Sequence, residues 1–354
     1  MPALPSNPPE PLDTRAVENA IDARFATLGP AELTPGKPAY YAAKAWSENT
    51  WKAYRSAIQD YVNWYKLALP FPSTPEMVAA YLANRALVYK RNTLNQRVAA
   101  IAFVHRMLGY DDPTQDSQVR QVLRGIRRDK AEHQETLNRA PAFTASELVA
   151  LLDGMDDSLR DRRDRAYILI GFAGAFRQSE LNALQVEQLE RHDDGLSVTM
   201  GIVKTDQTGD KQLVKALPYA DDPSVCPVRA LNDWLDAARI NKGPVFRAVD
   251  KKGRVGETPL SHTATNQMLK RRARRAGLSD ANRYSGHSLR ASFVTILRDL
   301  GVEDALTARQ THHVNLRMMS VYDRPGDAFA GNPTGQAVDQ LAKCAKIGPK
   351  DTTP

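Results

Sequence analysis

The chain has 354 residues, 42% hydrophobic and 25% charged, a length that favours two hydrophobic cores over one. Its 48 Lys and Arg against 41 Asp and Glu give a net charge of +7, a mild bias toward polyanions such as nucleic acid. Cys226 and Cys344 stand 118 positions apart with no Cys/His cluster, and no run reaches the ~18 apolar residues of a membrane span, so a structural zinc site and a membrane protein are excluded and a cytoplasmic protein with free thiols is expected.

Residues 1–45 carry eight of the 22 prolines and no sustained periodicity, which predicts an extended arm. From Ser47 the pattern changes. Trp51, Tyr54, Ile58, Tyr61 and Tyr65 recur at three- and four-residue steps, one helix face, and are expected in a core rather than as base-stacking platforms. Ser73-x-x-Glu76 with Pro75 reads as a capping box that opens a second helix through Met77, Tyr81 and Leu82. A third helix runs from about Thr93 to Leu108 and stops at Gly109. The fourth, SQVRQVLRGIRRDK at 117–130, is basic. Between Trp46 and Lys130, 13 Lys and Arg stand against seven Asp and Glu, so Arg120, Arg124, Arg127 and Arg128 are candidate DNA-phosphate contacts; a solvated helical surface is the plainer alternative.

The segment AEHQETLNRAPA, 131–142, lacks apolar periodicity and reads as a linker, with a second domain opening near Phe143. Thr144-x-x-Glu147 announces a helix, followed by the long apolar helix AYILIGFAGAF. LSVTMGIVKT and KQLVKALPY look like two strands joined by the turn DQTGD. Helices are predicted at about 227–240, 262–276, 288–300 and 302–311, and a last one at 334–347. With no βαβ rhythm and no internal repeat, a parallel sheet is not expected.

Four phrases hold residues that helix packing does not require. Arg177 ends the apolar helix in GAFRQSEL, where a capping arginine is the plain reading, and Glu180 follows three residues later. Lys204 lies at a strand tip in IVKTDQTGD, where solubility is the plain reading. In SGHSLRASFVTILRDLG, Leu289, Phe293, Ile296 and Leu300 are expected to form a buried stripe, while His287 and Arg290 are expected to flank a helix N-terminus whose N–H groups favour an anion. In THHVNLRMMSVYDRP, His312 and His313 precede Tyr322. A further run, KRRARR at 270–275, could pass for a localisation signal; inside a helical pattern it is expected to face DNA phosphate through Lys270, Arg271 and Arg274.

Together GAFRQSEL, VKTDQ, HSLR and THH…Y resemble the boxes of the tyrosine recombinases, the phage-integrase family of Cre-like and Xer-like enzymes. Arg290 to His313 is 23 residues and His313 to Tyr322 is nine, in agreement with the family pattern. The resemblance spans about residues 46–347. It implies a mainly α, two-domain protein: a helical, SAM-like core-binding domain at 46–130, a linker at 131–142, and a mostly helical α+β catalytic domain at 143–333 with a small antiparallel sheet, the DNA breaking-rejoining enzyme fold. The helix at 334–347 is then either exchanged between protomers or folded back on its own domain.

The same resemblance implies site-specific cleavage and rejoining of DNA through a 3′-phosphotyrosyl intermediate and a Holliday junction. Tyr322 is the nucleophile, Arg177 and Arg290 hold the phosphate, His287 accepts the tyrosine proton, Lys204 protonates the leaving 5′-oxygen, and His313 contacts the phosphate or positions the tyrosine. Glu180 orients Arg177. His312 stands where the family has a glycine and is assigned a supporting role. The implied partners are double-stranded DNA carrying specific sites and a homotetramer in the synaptic complex, with accessory proteins left open. No cofactor is expected: no GxxxxGK[ST] loop is present, and Asp206 and Asp210 lie in a turn where solvation rather than metal binding is the expected role. A non-catalytic DNA-binding protein and a type IB topoisomerase are the alternatives.

One conflict sits inside the THH…Y segment. A single helix from His312 to Tyr322, turning ~100° per residue, places His313 about opposite the tyrosine. Asn315 is a good N-cap, however, and a new helix starting there releases that constraint.

Overall fold

The computed structural model describes residues 48–65, 70–133, 140–200 and 213–311. The expected N-terminal arm, the turn with Lys204, Asp206 and Asp210, the segment with His312, His313 and Tyr322, Cys344 and the expected helix at 334–347 lie outside the described residues. The chain divides between Leu137 and Asn138 into two compact units. Among the described residues, no helix is long and apolar enough to cross a membrane.

The first unit contains α1 (Glu48–Tyr65), α2 (Pro75–Ala86), α3 (Arg91–Leu108) and α4 (Ser117–Glu132), with a 3₁₀ turn at Pro113–Gln115. Each helix gives one face to a common core: Ile58 and Tyr61 from α1, Val78 and Leu82 from α2, Leu94, Ile101 and Val104 from α3, Val119 and Leu123 from α4. The α1 aromatics belong to this packing, with Trp51 edge-on to Phe103 at 5.5 Å and Tyr61 edge-on to Tyr81 at 4.7 Å. Asp60 gathers the polar groups beside that core, accepting from Tyr81 Oη at 2.6 Å and Tyr89 Oη at 3.0 Å and pairing with Arg85 at 3.1 Å.

The cap of α2 is Thr74 rather than the expected Ser73. Pro75 takes the first helical position, where its missing N–H is no loss, and Thr74 Oγ1 accepts from Met77 N at 3.3 Å. Ser73 is turned elsewhere, its N–H donating to His105 Nε2 at 2.9 Å; burial holds that histidine below its ordinary pKa, which favours the neutral ring an acceptor requires. Helix α3 stops at Gly109, whose φ of +78° is a left-handed conformation open to glycine.

The second unit contains α5 (Ala145–Leu152), α6 (Leu159–Ala173), α7 (Gln178–Ala183), β1 (Leu189–His192), β2 (Gly195–Met200), β3 (Leu213–Pro218), α8 (Pro227–Ala238), β4 (Arg247–Val249), β5 (Val255–Pro259), α9 (His262–Arg275), α10 (Gly286–Asp299) and α11 (Asp304–Thr311). Both sheets are antiparallel: β1-β2-β3 in that order, and the β4–β5 pair. Strands β1, β4 and β5 add to the two expected from sequence. The core wraps α6, whose Tyr167, Ile168 and Ile170 are buried against residues such as Leu231 and Trp234 of α8 and Leu289 of α10.

Helix α6 starts at Leu159, well before the apolar AYILIGFAGAF, and takes in the charged stretch LRDRRDR. Its two aspartates, Asp161 and Asp164, are buried because α9 answers them. Asp164, with no exposed side-chain surface, accepts from Arg163 at 2.6 Å, Arg271 at 2.8 Å and Arg272 at 2.9 Å, and Arg272 also binds Asp161. At the opposite end α6 lies close to α10. A Cβ on Gly171 would stand 2.7 Å from Leu289 Cδ1 and 2.9 Å from Leu181 Cδ2, so only glycine fits there without displacement.

Candidate active site

Arg177 follows α6 across a strained turn. Ala175 has φ of +46°, a left-handed conformation that costs a non-glycine residue on the order of 1 kcal/mol. The turn ends in α7, where Glu180 holds Arg177 twice: Oε2 accepts from the Arg177 backbone N–H at 2.8 Å, and Oε1 accepts from Nη1 at 2.6 Å. The carboxylate therefore caps the helix and fixes the guanidinium with one side chain.

Arg290 reaches the same turn from α10. Its side chain is 1% exposed, and it donates from Nη1 to the Ala175 carbonyl and from Nη2 to the Thr311 carbonyl, each at 2.6 Å. One guanidinium thus joins the turn before Arg177 to the end of α11. The helix α10 begins at Gly286, two residues earlier than its sequence suggests, which places exposed His287 in the first turn and Arg290 one turn further on.

The start of α10 is fixed by residues to which the sequence reading gave no role. Asn266 Oδ1 in α9 accepts from Gly286 N at 3.1 Å and from Gln178 Nε2 at 3.1 Å, and Gln178 also donates to the His262 carbonyl at 3.0 Å. A Cβ on Gly286 would meet Gln178 Cγ at 2.6 Å. The glycine of SGHSLR is therefore a contact surface for the residue next to Arg177. Behind these groups, buried Asn182 accepts from Tyr167 Oη at 2.6 Å and donates to the Leu260 carbonyl at 2.8 Å, joining α6, α7 and the end of β5.

Lys215, on β3, completes the described cluster. It is 1% exposed, its Nζ lies 5.2 Å from the Phe176 ring centroid, and it donates to the Gln310 carbonyl. Burial, with the neighbouring Arg290 charge, pushes its ammonium down to about 7. Sequence reasoning passed over Lys215, Gln178 and Asn266, since their partners lie far along the chain.

The structure thus brings together Arg177, Glu180 and Arg290, with His287 on the first turn of the helix that carries Arg290. Lys204, His312, His313 and Tyr322 lie outside the described residues. The candidate DNA contacts fall into two groups. Arg120, Arg124, Arg127 and Arg128 lie on the exposed face of α4, Arg127 donating to Asn95 at 3.1 Å and Arg128 to Glu132 at 2.9 Å. In α9 the basic run splits. Arg271 and Arg272 turn to Asp164, Arg274 is exposed and donates to Asn282 at 2.6 Å, and Lys270 is half-buried. A cavity of about 310 Å³ beside this network is lined by Arg160, Asp161, Asp250, Lys251 and Arg271 among others, and by none of Arg177, Lys215, His287 or Arg290.

Residues 141–328 match the phage integrase family model. An integrase/recombinase XerD homolog of Selenomonas ruminantium is 35% identical over 294 residues, which cover 82% of this chain and 85% of that protein. Among solved structures, XerH site-specific recombinase bound to palindromic difH substrate, in a post-cleavage complex, is similar with a TM-score of 0.56 at 14% identity, covering 95% of this chain and 91% of that one. A lambda integrase tetramer bound to a Holliday junction gives 0.52 at 17% identity, covering 89% and 81%. At these identities the two structures speak for the fold, which is the one described above: mostly helical, with small antiparallel sheets.

Proposed function

Because the chain belongs to the phage integrase family, the tyrosine site-specific recombinases, we propose that it cuts and rejoins DNA through Tyr322, with Arg177 and Arg290 as its phosphate clamp. The observation that carries this reading is the meeting of the two arginines at one turn: Arg290 bonds the Ala175 carbonyl, and Arg177 stands two residues on, oriented by Glu180.

A phosphodiester gains negative charge as it becomes pentavalent, and preorganised cations stabilise that change. Two guanidinium groups present planar donor forks to the non-bridging oxygens, which a lysine does less well. The tyrosine hydroxyl titrates near ~10 and needs a base or a positive pocket. His287 takes the tyrosine proton as the phenolic oxygen bonds to phosphorus, and Lys204 gives a proton to the departing 5′-oxygen. His313 steadies the phosphate or the tyrosine, with His312 beside it in the chain. The 3′-phosphotyrosyl link keeps the bond energy for rejoining, so no ATP or metal enters the scheme.

The DNA partner carries specific recombination sites, and strand exchange proceeds in a homotetramer through a Holliday junction, with the segment 334–347 either exchanged between protomers or folded on its own domain. The lambda integrase tetramer on such a junction supports this assembly. The exposed basic face of α4 supplies backbone contacts, and the protein works in the cytoplasm on chromosomal or mobile DNA. The test begins with sequencing DNA that becomes covalently attached to the protein, which supplies the site. A nicked duplex of that site then traps the adduct. Wild type is expected to form it and Tyr322→Phe to form none; an adduct with Tyr322→Phe, or none with wild type, overturns the reading.

A further inference from the structure

The mechanism above does not use Lys215, which with Arg177 and Arg290 makes three cationic side chains among the described residues of the cluster. A buried lysine is expensive unless something answers it, and an apolar residue of similar length would fill the same space on β3. What answers Lys215 is the end of α11. Helix C-termini leave carbonyls without intrahelical donors and favour cations nearby. Here Lys215 Nζ donates to the Gln310 carbonyl, and Arg290 Nη2 donates to the next one, that of Thr311, at 2.6 Å. The Gln310 side chain fastens the same point again: its Nε2 donates to the Ala216 carbonyl of β3 at 3.1 Å and to the Ala173 carbonyl, at the end of α6, at 3.2 Å. Thr311 Oγ1 closes the turn on the Thr307 carbonyl at 2.9 Å.

Two consecutive residues therefore tie α11 to β3, to α10 and to the helix that leads into Arg177. His312 and His313 are the next two residues of the chain. We propose that Lys215 is a positioning residue for strand cleavage, fixing from β3 the Gln310 carbonyl of α11 and so the point after which the chain continues into His312 and His313. Both the ammonium and the neutral amine can donate to the Gln310 carbonyl. With its ammonium pushed down to about 7, the tether persists at neutral pH without a full third charge beside the arginines. The inference rests on the catalytic reading of Arg177, Arg290 and Tyr322.

The test uses the full-length protein and the nicked duplex above in two forms, one with the normal 5′-oxygen leaving group and one with sulfur in that bridging position. A sulfur leaving group departs without a proton, so it relieves the loss of a general acid and does not relieve misplacement. Misplacement of about an ångström at a reacting centre costs on the order of 100-fold. Lys215→Met is expected to bind DNA like wild type, to form adduct ~100-fold more slowly on both substrates, and to recover most of the rate as Lys215→Arg. Gln310→Ala, which keeps Lys215 and removes the two amide bonds, is expected to slow both substrates ~10-fold and serves as the probe if Lys215→Met fails to fold. Wild-type rates in the folded variants overturn the proposal. So does a Lys215→Met defect erased by the sulfur substrate, which would make Lys215 an acid. Failure of the catalytic reading shows separately, as an absent wild-type adduct or an adduct with Tyr322→Phe.

Discussion

Two groups of buried charge lie in the same unit and are built on opposite principles. Around Asp164, carboxylates receive the guanidinium groups directly: Arg163, Arg271 and Arg272 all donate to Asp164, and Arg272 reaches Asp161 as well. Around Arg177, the described carboxylate is Glu180, and the bonds from Arg290 and Lys215 run to backbone carbonyls of Ala175, Thr311 and Gln310. A carbonyl satisfies an N–H and leaves the positive charge in place, whereas a carboxylate cancels it. The first arrangement holds helices together through carboxylates; the second anchors Arg290 and Lys215 on backbone carbonyls and leaves Arg177 held by Glu180.

The comparison can be broken most forcefully at Asp164. Removing it as Asp164→Ala leaves Arg272 buried beside a lost partner and is expected to cost ~3–5 kcal/mol of stability, read from urea unfolding, with cleavage per folded molecule largely retained. Arg177→Ala is expected to shift the balance: adduct formation falls ~100- to 1,000-fold while the urea midpoint falls less than in Asp164→Ala. Equal effects of the two variants on both measurements would erase the distinction.

A smaller effect is expected at Gly286→Ala, whose new methyl group collides with Gln178; a loss of ~1–3 kcal/mol with a slower adduct rate would show that the α10 entry serves the site. Lys215 gives a pH signature. Its folded pKa of about 7 lies below its ordinary 10.5, so between those values the unfolded chain binds more protons and stability rises with pH. Urea midpoints at pH 7 and 9.5 should therefore rise more in wild type than in Lys215→Met. Smallest of all, Arg120→Ala or Arg124→Ala on exposed α4 should each weaken DNA binding evenly across sequences and lower the salt slope by about one, measured by titration at several salt concentrations.

What the sequence made legible follows from distance along the chain. Arg177 and Glu180 sit three residues apart, and the helix stop at Gly109 is a local event, so motif and capping logic reach them, whereas α6 stops at Ala173, short of the Phe176 to which its apolar run extends. The helix α6 was harder to bound, because LRDRRDR looks solvated until Arg271 and Arg272, more than a hundred residues away, supply its counter-charges. Strands β1 and β4 are four and three residues long, too short to show alternation, and exist through pairing rather than through propensity. Lys215 reads as one more surface lysine in LVKALP. Its burial depends on Gln310, 95 positions further on, and no local pattern encodes that meeting.

Gly171 has a consequence of another kind. By letting α6 approach Leu289, it sets the span between the helix that delivers Arg177 and the helix that carries Arg290. The missing side chain works as a gauge block: its thickness, one methyl group, is the tolerance with which α6 meets Leu289 of α10. A larger residue there touches neither arginine, yet it would press on Leu289 of α10 and Leu181 of α7, one from each of the two elements that flank them.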